Sequence, residues 1–363
     1  MIKNQIKLRQ ICLLFITLLP LTKIITAPSV FARFCGEKLL QPLIILCVLD
    51  LCLIAIFCLI LKRHENKSAY QILSENYSEW FAKIIFFIYA LFFLAKSFIP
   101  LLEHKELVEN AFYETLPKAP VFYPLIAVTF FISLKGFKTI GRASELFVPI
   151  TLIGLAFIIY LSLLPGDYTT LLPLLKTNKS VAICSLNGVL WFNDAIYLIM
   201  FLGSFKRKKN TFLKLGVCYF IPILLTAVIY ACFYSIFSYV APSQKIAVSS
   251  MSIFSITLVN VGRFDYFAVF LLSLVSILAV ALPIACATKC ITVCFDFKNS
   301  LIPSLIINLI LFALVITVSR SYESVLSFYF KYLIPFMFIC GYFLPLLFLK
   351  RRNIKCITNA LRQ

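Results

Sequence analysis

Leu19-Pro20-Leu21-Thr22-Lys23-Ile24-Ile25-Thr26-Ala27-Pro28-Ser29 interrupts the first long apolar run of the chain. Both prolines lack a backbone donor, and Lys23 stands among residues that otherwise read as membrane helix. Helical hydrogen bonding is therefore expected to fail locally around Pro20 to Pro28. A comparable interruption lies far downstream, Ser185-Leu186-Asn187-Gly188-Val189-Leu190-Trp191-Phe192-Asn193-Asp194. Polar side chains and helix breakers cost free energy in hydrocarbon, so where they persist they tend to mark sites.

Around these two stretches the chain is overwhelmingly apolar, with 62% hydrophobic and 13% charged residues. A soluble domain cannot hide that much apolar surface, and this excludes an ordinary soluble enzyme. A crossing helix needs about 20 apolar residues. Ten segments meet or approach that length: 10–32, 39–61, 82–102, 119–137, 145–164, 182–204, 212–238, 264–288, 300–319 and 327–349. The expectation is an all-α polytopic protein with about ten transmembrane helices, forming one membrane domain over residues 1–363.

The net charge of +19 is spread among short loops and gathers on no single face, so it reads as orientation in a lipid bilayer and not as nucleic-acid binding. Lys62 and Arg63, the run Lys206 to Lys209, and the tail Lys350, Arg351, Arg352 and Lys355 follow spans two, six and ten. All three clusters then fall on one side, which places both termini in the cytoplasm. Lys3, Lys7 and Arg9 before an apolar stretch, with a small residue at Ala27, also resemble a secretory signal. Removing that segment would leave an odd span count and break the charge pattern, so it is read as span one.

Breaks in spans one and six, five spans apart, suggest a five-plus-five inverted repeat, the first half over 10–164 and the second over 182–349. In that arrangement freed backbone groups and half-helix dipole ends line a midplane site suited to a zwitterion or an ion. The candidate ligand-binding residues are Thr22, Lys23, Thr26, Asn187, Gly188, Asn193 and Asp194. Five of them have a plainer role beside this one: Lys23 as partner of an acidic residue on another span, Asp194 as a helix cap, and Asn187, Gly188 and Asn193 as caps. Asp50 in span two and Lys96 in span three are expected to form a buried charge pair.

Thirteen Cys are scattered without a spacing suited to zinc or a redox dithiol, and His64 and His104 read as residues of separate loops. No metal site is expected. Ser273 and Ser276 in span eight are weak grounds for a sodium site. No P-loop, dinucleotide fingerprint or hydrolase elbow appears, so neither catalysis nor a cofactor is expected.

Four stretches resemble landmarks of the spore germination permease family. They are Lys23 to Ala32 followed by Gly36, then Lys135-Gly-Phe-Lys-Thr-Ile-Gly-Arg-Ala-Ser-Glu145 with Phe147 and Pro149, then Trp191 to Asp194, and Gly262-Arg263-Phe264-Asp265. That family comprises the GerAB-type B subunits of nutrient germinant receptors within the amino acid/polyamine/organocation transporter superfamily. The resemblance implies a LeuT-like fold, an amino acid or similar small nutrient as ligand, A-type and C-type receptor subunits as partners, and a cytoplasmic or inner spore membrane location. The first break contains no glycine, which departs from superfamily permeases that bind a carboxylate on bare backbone there, and leaves Lys23 as a source of positive charge. Three functions remain open at this point: a germinant receptor subunit, a proton-coupled amino acid permease, and a structural subunit with a degenerate pocket. Arg142, Glu145, Arg263 and Asp265 read as interface anchors or subunit contacts.

Overall fold

Apolar runs of this length have one stable form in lipid, the helix, because it satisfies its backbone hydrogen bonds within the segment. A computed structural model describes residues 6–112, 122–163, 165–171, 179–205, 209–254, 265–318 and 322–350. Among them every regular element is helical: the protein is a polytopic helical membrane protein. The Gly262 to Phe264 motif, most of the Lys206 to Lys209 run and the tail beyond Lys350 lie outside the described residues.

The helices are α1 (Leu8–Ile24), α2 (Ala27–Cys35), α3 (Leu40–Arg63), α4 (Ala69–Asn76), α5 (Glu79–Phe112), α6 (Phe122–Lys135), α7 (Phe137–Leu163) and α8 (Lys179–Gly188). They continue with α9 (Tyr197–Met200), α10 (Thr211–Phe237), α11 (Ala247–Phe254), α12 (Asp265–Cys294), α13 (Leu301–Val318) and α14 (Tyr322–Leu349). Six of these pass as full membrane spans, α1 and α2 form one more that is bent by 51°, and α6 and α13 are shorter apolar helices. Ile44, Val48, Phe220, Leu224, Leu309 and Ile316 are exposed large apolar side chains on three of these helices, as lipid-facing surfaces require.

The core is organised around α12, which packs most extensively against α5 and also touches α7, α6 and α1. Its apolar stretch is 72% buried, against 28% for α7, so α12 is central and α7 peripheral. The broken helix α1–α2 is held by α10, α7 and α12 on its first half and by α8 on its second.

α5 runs past the expected end at residue 102 and continues to Phe112. Glu103 and His104 consequently lie within a helix and are buried, where a loop was expected for His104. The reason is a contact distant in sequence: His104 Nδ1 lies 2.5 Å from Ser276 Oγ on α12, so the polar side chain finds its partner inside the bundle and the helix has no cause to stop. Ser276 also donates to the Ser273 carbonyl at 2.7 Å.

α14 contains two wide five-residue turns, Tyr329–Leu333 and Ile339–Phe343. Each includes the residue four positions before a proline, Lys331 before Pro335 and Gly341 before Pro345. Proline offers no N–H to that carbonyl and its ring crowds it, so the backbone widens. The far end of α14 is tied down by side chains from the α3–α4 region. Arg63 donates to Leu349 O at 2.6 Å, Asn76 to Lys350 O at 2.7 Å and Tyr77 to Leu347 O at 3.3 Å, while His64 Nε2 lies 3.2 Å from Lys350 O. At the opposite end Arg33 of α2 bonds both carboxylate oxygens of Glu323 at 2.9 Å and the Pro242 carbonyl at 2.8 Å.

Candidate ligand site at the broken helices

The first break falls at Ile25–Thr26, later than Pro20, which α1 accommodates within its length. Pro28 decides the position: in the first turn of α2 its missing N–H costs nothing, whereas in a continuous helix it would leave the Ile24 carbonyl without a donor. Carbonyls around the break find other donors. Tyr230 donates to Lys23 O at 2.9 Å, Ala247 N–H to Ile25 O at 2.8 Å, and the Thr22 hydroxyl lies 3.3 Å from both Leu18 O and Leu19 O.

The second break follows Gly188. An added Cβ at Gly188 would meet Leu46 at 2.5 Å and Phe31 at 2.7 Å, so the absent side chain allows α8 to close against α3 and α2. The chain then turns, passes through Asn193 in a left-handed conformation with φ 69°, and resumes as a tight helical turn at Asp194–Ile196 leading into α9. Asparagine tolerates that conformation better than most residues with a side chain.

Asp50 of α3 caps this restart. Its Oδ2 accepts the backbone N–H of Asn193 at 3.1 Å and of Asp194 at 3.3 Å, and it accepts the hydroxyl of Tyr219. Its Oδ1 accepts the Tyr342 hydroxyl at 2.9 Å. A carboxylate at the start of a helical segment meets unpaired N–H groups and the positive end of the dipole.

The expected pairing of Asp50 with Lys96 is therefore corrected. Lys96 Nζ lies 3.1 Å from Asp194 Oδ1 and donates to Phe192 O at 2.5 Å. It serves the second break directly, because Phe192 O is one of the carbonyls that the break exposes. Lys23 Nζ bonds the other carboxylate oxygen of Asp194, lies 3.3 Å from the Thr22 hydroxyl, and stands 4.9 Å from the centre of the Phe192 ring. One buried carboxylate thus holds two ammonium groups, one from the first break and one from α5.

Of the residues singled out from sequence, Thr22, Lys23, Thr26, Asn193 and Asp194 come together at the two breaks. Asn193 Nδ2 donates to Met337 O on α14 at 3.3 Å. Gly188 packs against Phe31 and Leu46, and Asn187 is half-buried at the end of α8 with its carbonyl accepting the Leu190 N–H at 3.3 Å.

Sequence reasoning missed Glu103, Tyr322, Tyr219 and Tyr342. Glu103 Oε1 accepts the hydroxyl of Thr26, the indole N–H of Trp191 at 2.7 Å and the Tyr322 hydroxyl at 3.4 Å. Thr26 and Tyr322 are themselves 2.8 Å apart. The available signal was the spacing of Lys96 and Glu103, seven residues apart and so on one helical face. Ending span three at residue 102 concealed it.

Residues 42–324 match the family described as "Spore germination protein". This chain belongs to the spore germination protein family. The chain is also similar to spore germination protein A2 of Bacillus subtilis (strain 168), 24% identical over 173 residues. That match covers 47% of this chain and 47% of the relative, about half the length of each. The stretch shared with the spore germination family includes Asp50, Lys96, Glu103, Asn193, Asp194 and Tyr322, whereas the first break at Ile25–Thr26 precedes it.

Proposed function

We propose that this spore germination protein is the membrane subunit of a nutrient germinant receptor, and that an amino acid or similar small nutrient binds between the two breaks. The observation carrying this reading is the buried bond between Lys23 and Asp194, which joins the two interrupted helices across 171 positions of sequence. A ligand lodged there competes with or strengthens that bond and so shifts the balance between two arrangements of the bundle. Thr22, Lys23, Thr26, Asn187, Gly188, Asn193 and Asp194 are the proposed lining. The first turn of α2 offers N–H groups without intrahelical acceptors to a ligand carboxylate, and the buried Ser29 hydroxyl in that turn has no partner.

The proposed frame is ten spans in a five-plus-five LeuT-like repeat, counting α1–α2 as span one, residues 179–205 as span six, and α6 and α13 as spans four and nine. Both termini would face the cytoplasm, in the cytoplasmic or inner spore membrane, with A-type and C-type receptor subunits as partners. No catalytic step is assigned to the chain.

A second reading, a proton-coupled amino acid permease, is favoured by the concentration of Lys23, Asp50, Lys96, Glu103 and Asp194 in the core, since intramembrane ionisable groups form proton relays. Uptake of labelled amino acids into proteoliposomes, with and without a proton gradient, separates the two.

Germination of spores from a strain lacking this gene tests the principal reading. Optical density is followed after adding amino acids and other nutrients. Loss of one nutrient response, restored by wild type and not by Asp194→Asn at equal membrane abundance, is the expected result. Unchanged germination across the panel would rule the receptor reading out.

A further inference from the structure

Three carboxyl groups and two ammonium groups face the broken core among the described residues: Asp50, Glu103 and Asp194 against Lys23 and Lys96. Their bonding is unequal. Asp50 accepts four donors, and Asp194 is bound by both lysines. Glu103 collects three donors on Oε1 and none on Oε2, although the residue is only 1% exposed. Among the described residues no cationic nitrogen lies within 4 Å of it, for Lys23 is committed to Asp194.

An acceptor oxygen buried without a donor is costly, and a buried carboxylate without a cation more so. The three donors that fix Oε1 come from the first break, the second break and the start of α14, so Glu103 belongs to the same site as the broken helices. Its surroundings are aromatic. The Trp191 ring lies edge-on to Phe31 at 6.3 Å and 6.2 Å from Phe330, and the Tyr322 hydroxyl lies 3.4 Å from the carboxylate itself. Aromatic walls with a single carboxylate suit an organic ammonium better than a strongly hydrated metal ion.

We propose that Glu103 receives the ammonium group of a small organic amine on its open oxygen Oε2, while Thr26, Trp191 and Tyr322 hold the carboxylate in position through Oε1. This rests on the ligand-site reading above and names the chemical class of the ligand. It also moves the amine away from Asp194, where Lys23 and Lys96 would repel another positive charge. An amino acid and a simple amine share the group that Glu103 recognises.

The test uses the full-length protein in lipid nanodiscs, with thermal melting as the readout and each of the twenty protein amino acids as a probe. The amino acid that stabilises most is then compared with its 2-hydroxy acid, which lacks the amine, and with its decarboxylated amine. The hydroxy acid is expected to bind at least about tenfold more weakly, as the loss of one charged hydrogen bond implies. Glu103→Gln is expected to weaken the amino acid to a similar degree and leave the hydroxy acid unchanged. Retained affinity for the decarboxylated amine identifies a simple amine as a sufficient ligand, and its loss identifies the amino acid.

Equal binding of amino acid and hydroxy acid to wild type, or unaltered amino acid affinity in Glu103→Gln, overturns the assignment and leaves the small-ligand site standing. Failure of every amino acid and amine to stabilise wild type would overturn the ligand-site reading together with it. Should Glu103→Gln not fold, the wild-type comparison decides alone, and Glu103→Asp, which keeps the charge and withdraws it, provides a second variant.

Discussion

Asn193 fills the space that any side chain at residue 341 would need: a Cβ on Gly341 would fall 1.4 Å from Asn193 Nδ2. The second break and the last helix are fitted together at this point, in the second wide turn of α14, and no small adjustment relieves an overlap of that size.

Gly341→Ala is therefore expected to destabilise the protein by about 1–3 kcal/mol, the usual cost of forcing added volume into a packed interior. Thermal melting in detergent measures it. Adding Asn193→Gly, which suits the left-handed backbone at 193, should recover part of the loss. A double variant no better than Gly341→Ala would mean that the clash lies elsewhere.

Asp194→Asn removes the one carboxylate shared by Lys23 and Lys96. Stranding buried ammonium groups costs about 3–5 kcal/mol. The double variant Lys23→Met/Asp194→Asn should lose less than the sum of the single changes, since one stranded charge has been removed. Additive losses, read from melting midpoints and membrane yield, would show that the pair does not interact energetically.

Tyr342→Phe withdraws one donor from Asp50 and should cost about 1.5–3 kcal/mol, in the range for hydrogen bonds to charged groups. Asp50→Leu should cost more, because the N–H groups of Asn193 and Asp194 lose their cap as well. Equal melting shifts for the two variants would argue that the cap contributes little.

Arg33 and Glu323 join α2 to the start of α14 in a bidentate pair that is partly exposed. A double-mutant cycle with Arg33→Ala and Glu323→Ala should give a coupling of about 0.2–1 kcal/mol that shrinks as salt is raised. The charge swap Arg33→Glu/Glu323→Arg should restore more stability than either single reversal. A coupling indifferent to salt would exclude an ionic origin.

Much of this architecture is legible in sequence because its causes are local. Pro28, Gly188 and Asn193 each impose a backbone constraint on their own neighbourhood, and both breaks appear where those residues stand. Charge partners are not local. Asp50 and Lys96 sit on consecutive expected spans with opposite signs, yet which acid a lysine meets depends on helix rotation and depth, which spacing along one helix does not fix. Glu103 was hidden for a related reason: Glu103-His104-Lys105-Glu106 has the composition of a loop, and only burial against Thr26, Trp191 and Ser276 keeps it helical. The wide turns of α14 were equally unreadable, since Pro335 and Pro345 predict disruption without saying whether the helix bends, stops or widens.

Those wide turns give α14 slack. Each holds one residue more than an ordinary turn, so the helix between its two anchored ends is longer in sequence than its span requires. Pro335 and Pro345 fix where each surplus residue sits, and each one turns the side chains beyond it by about 100° relative to an uninterrupted helix. Tyr342 on Asp50 and Gly341 against Asn193 lie in the second wide turn, between the end held by Arg33 and the end held by the α3–α4 side chains. The two prolines thus set which side chains the last helix aims at the core, as a pinned pleat decides how the cloth beyond it hangs.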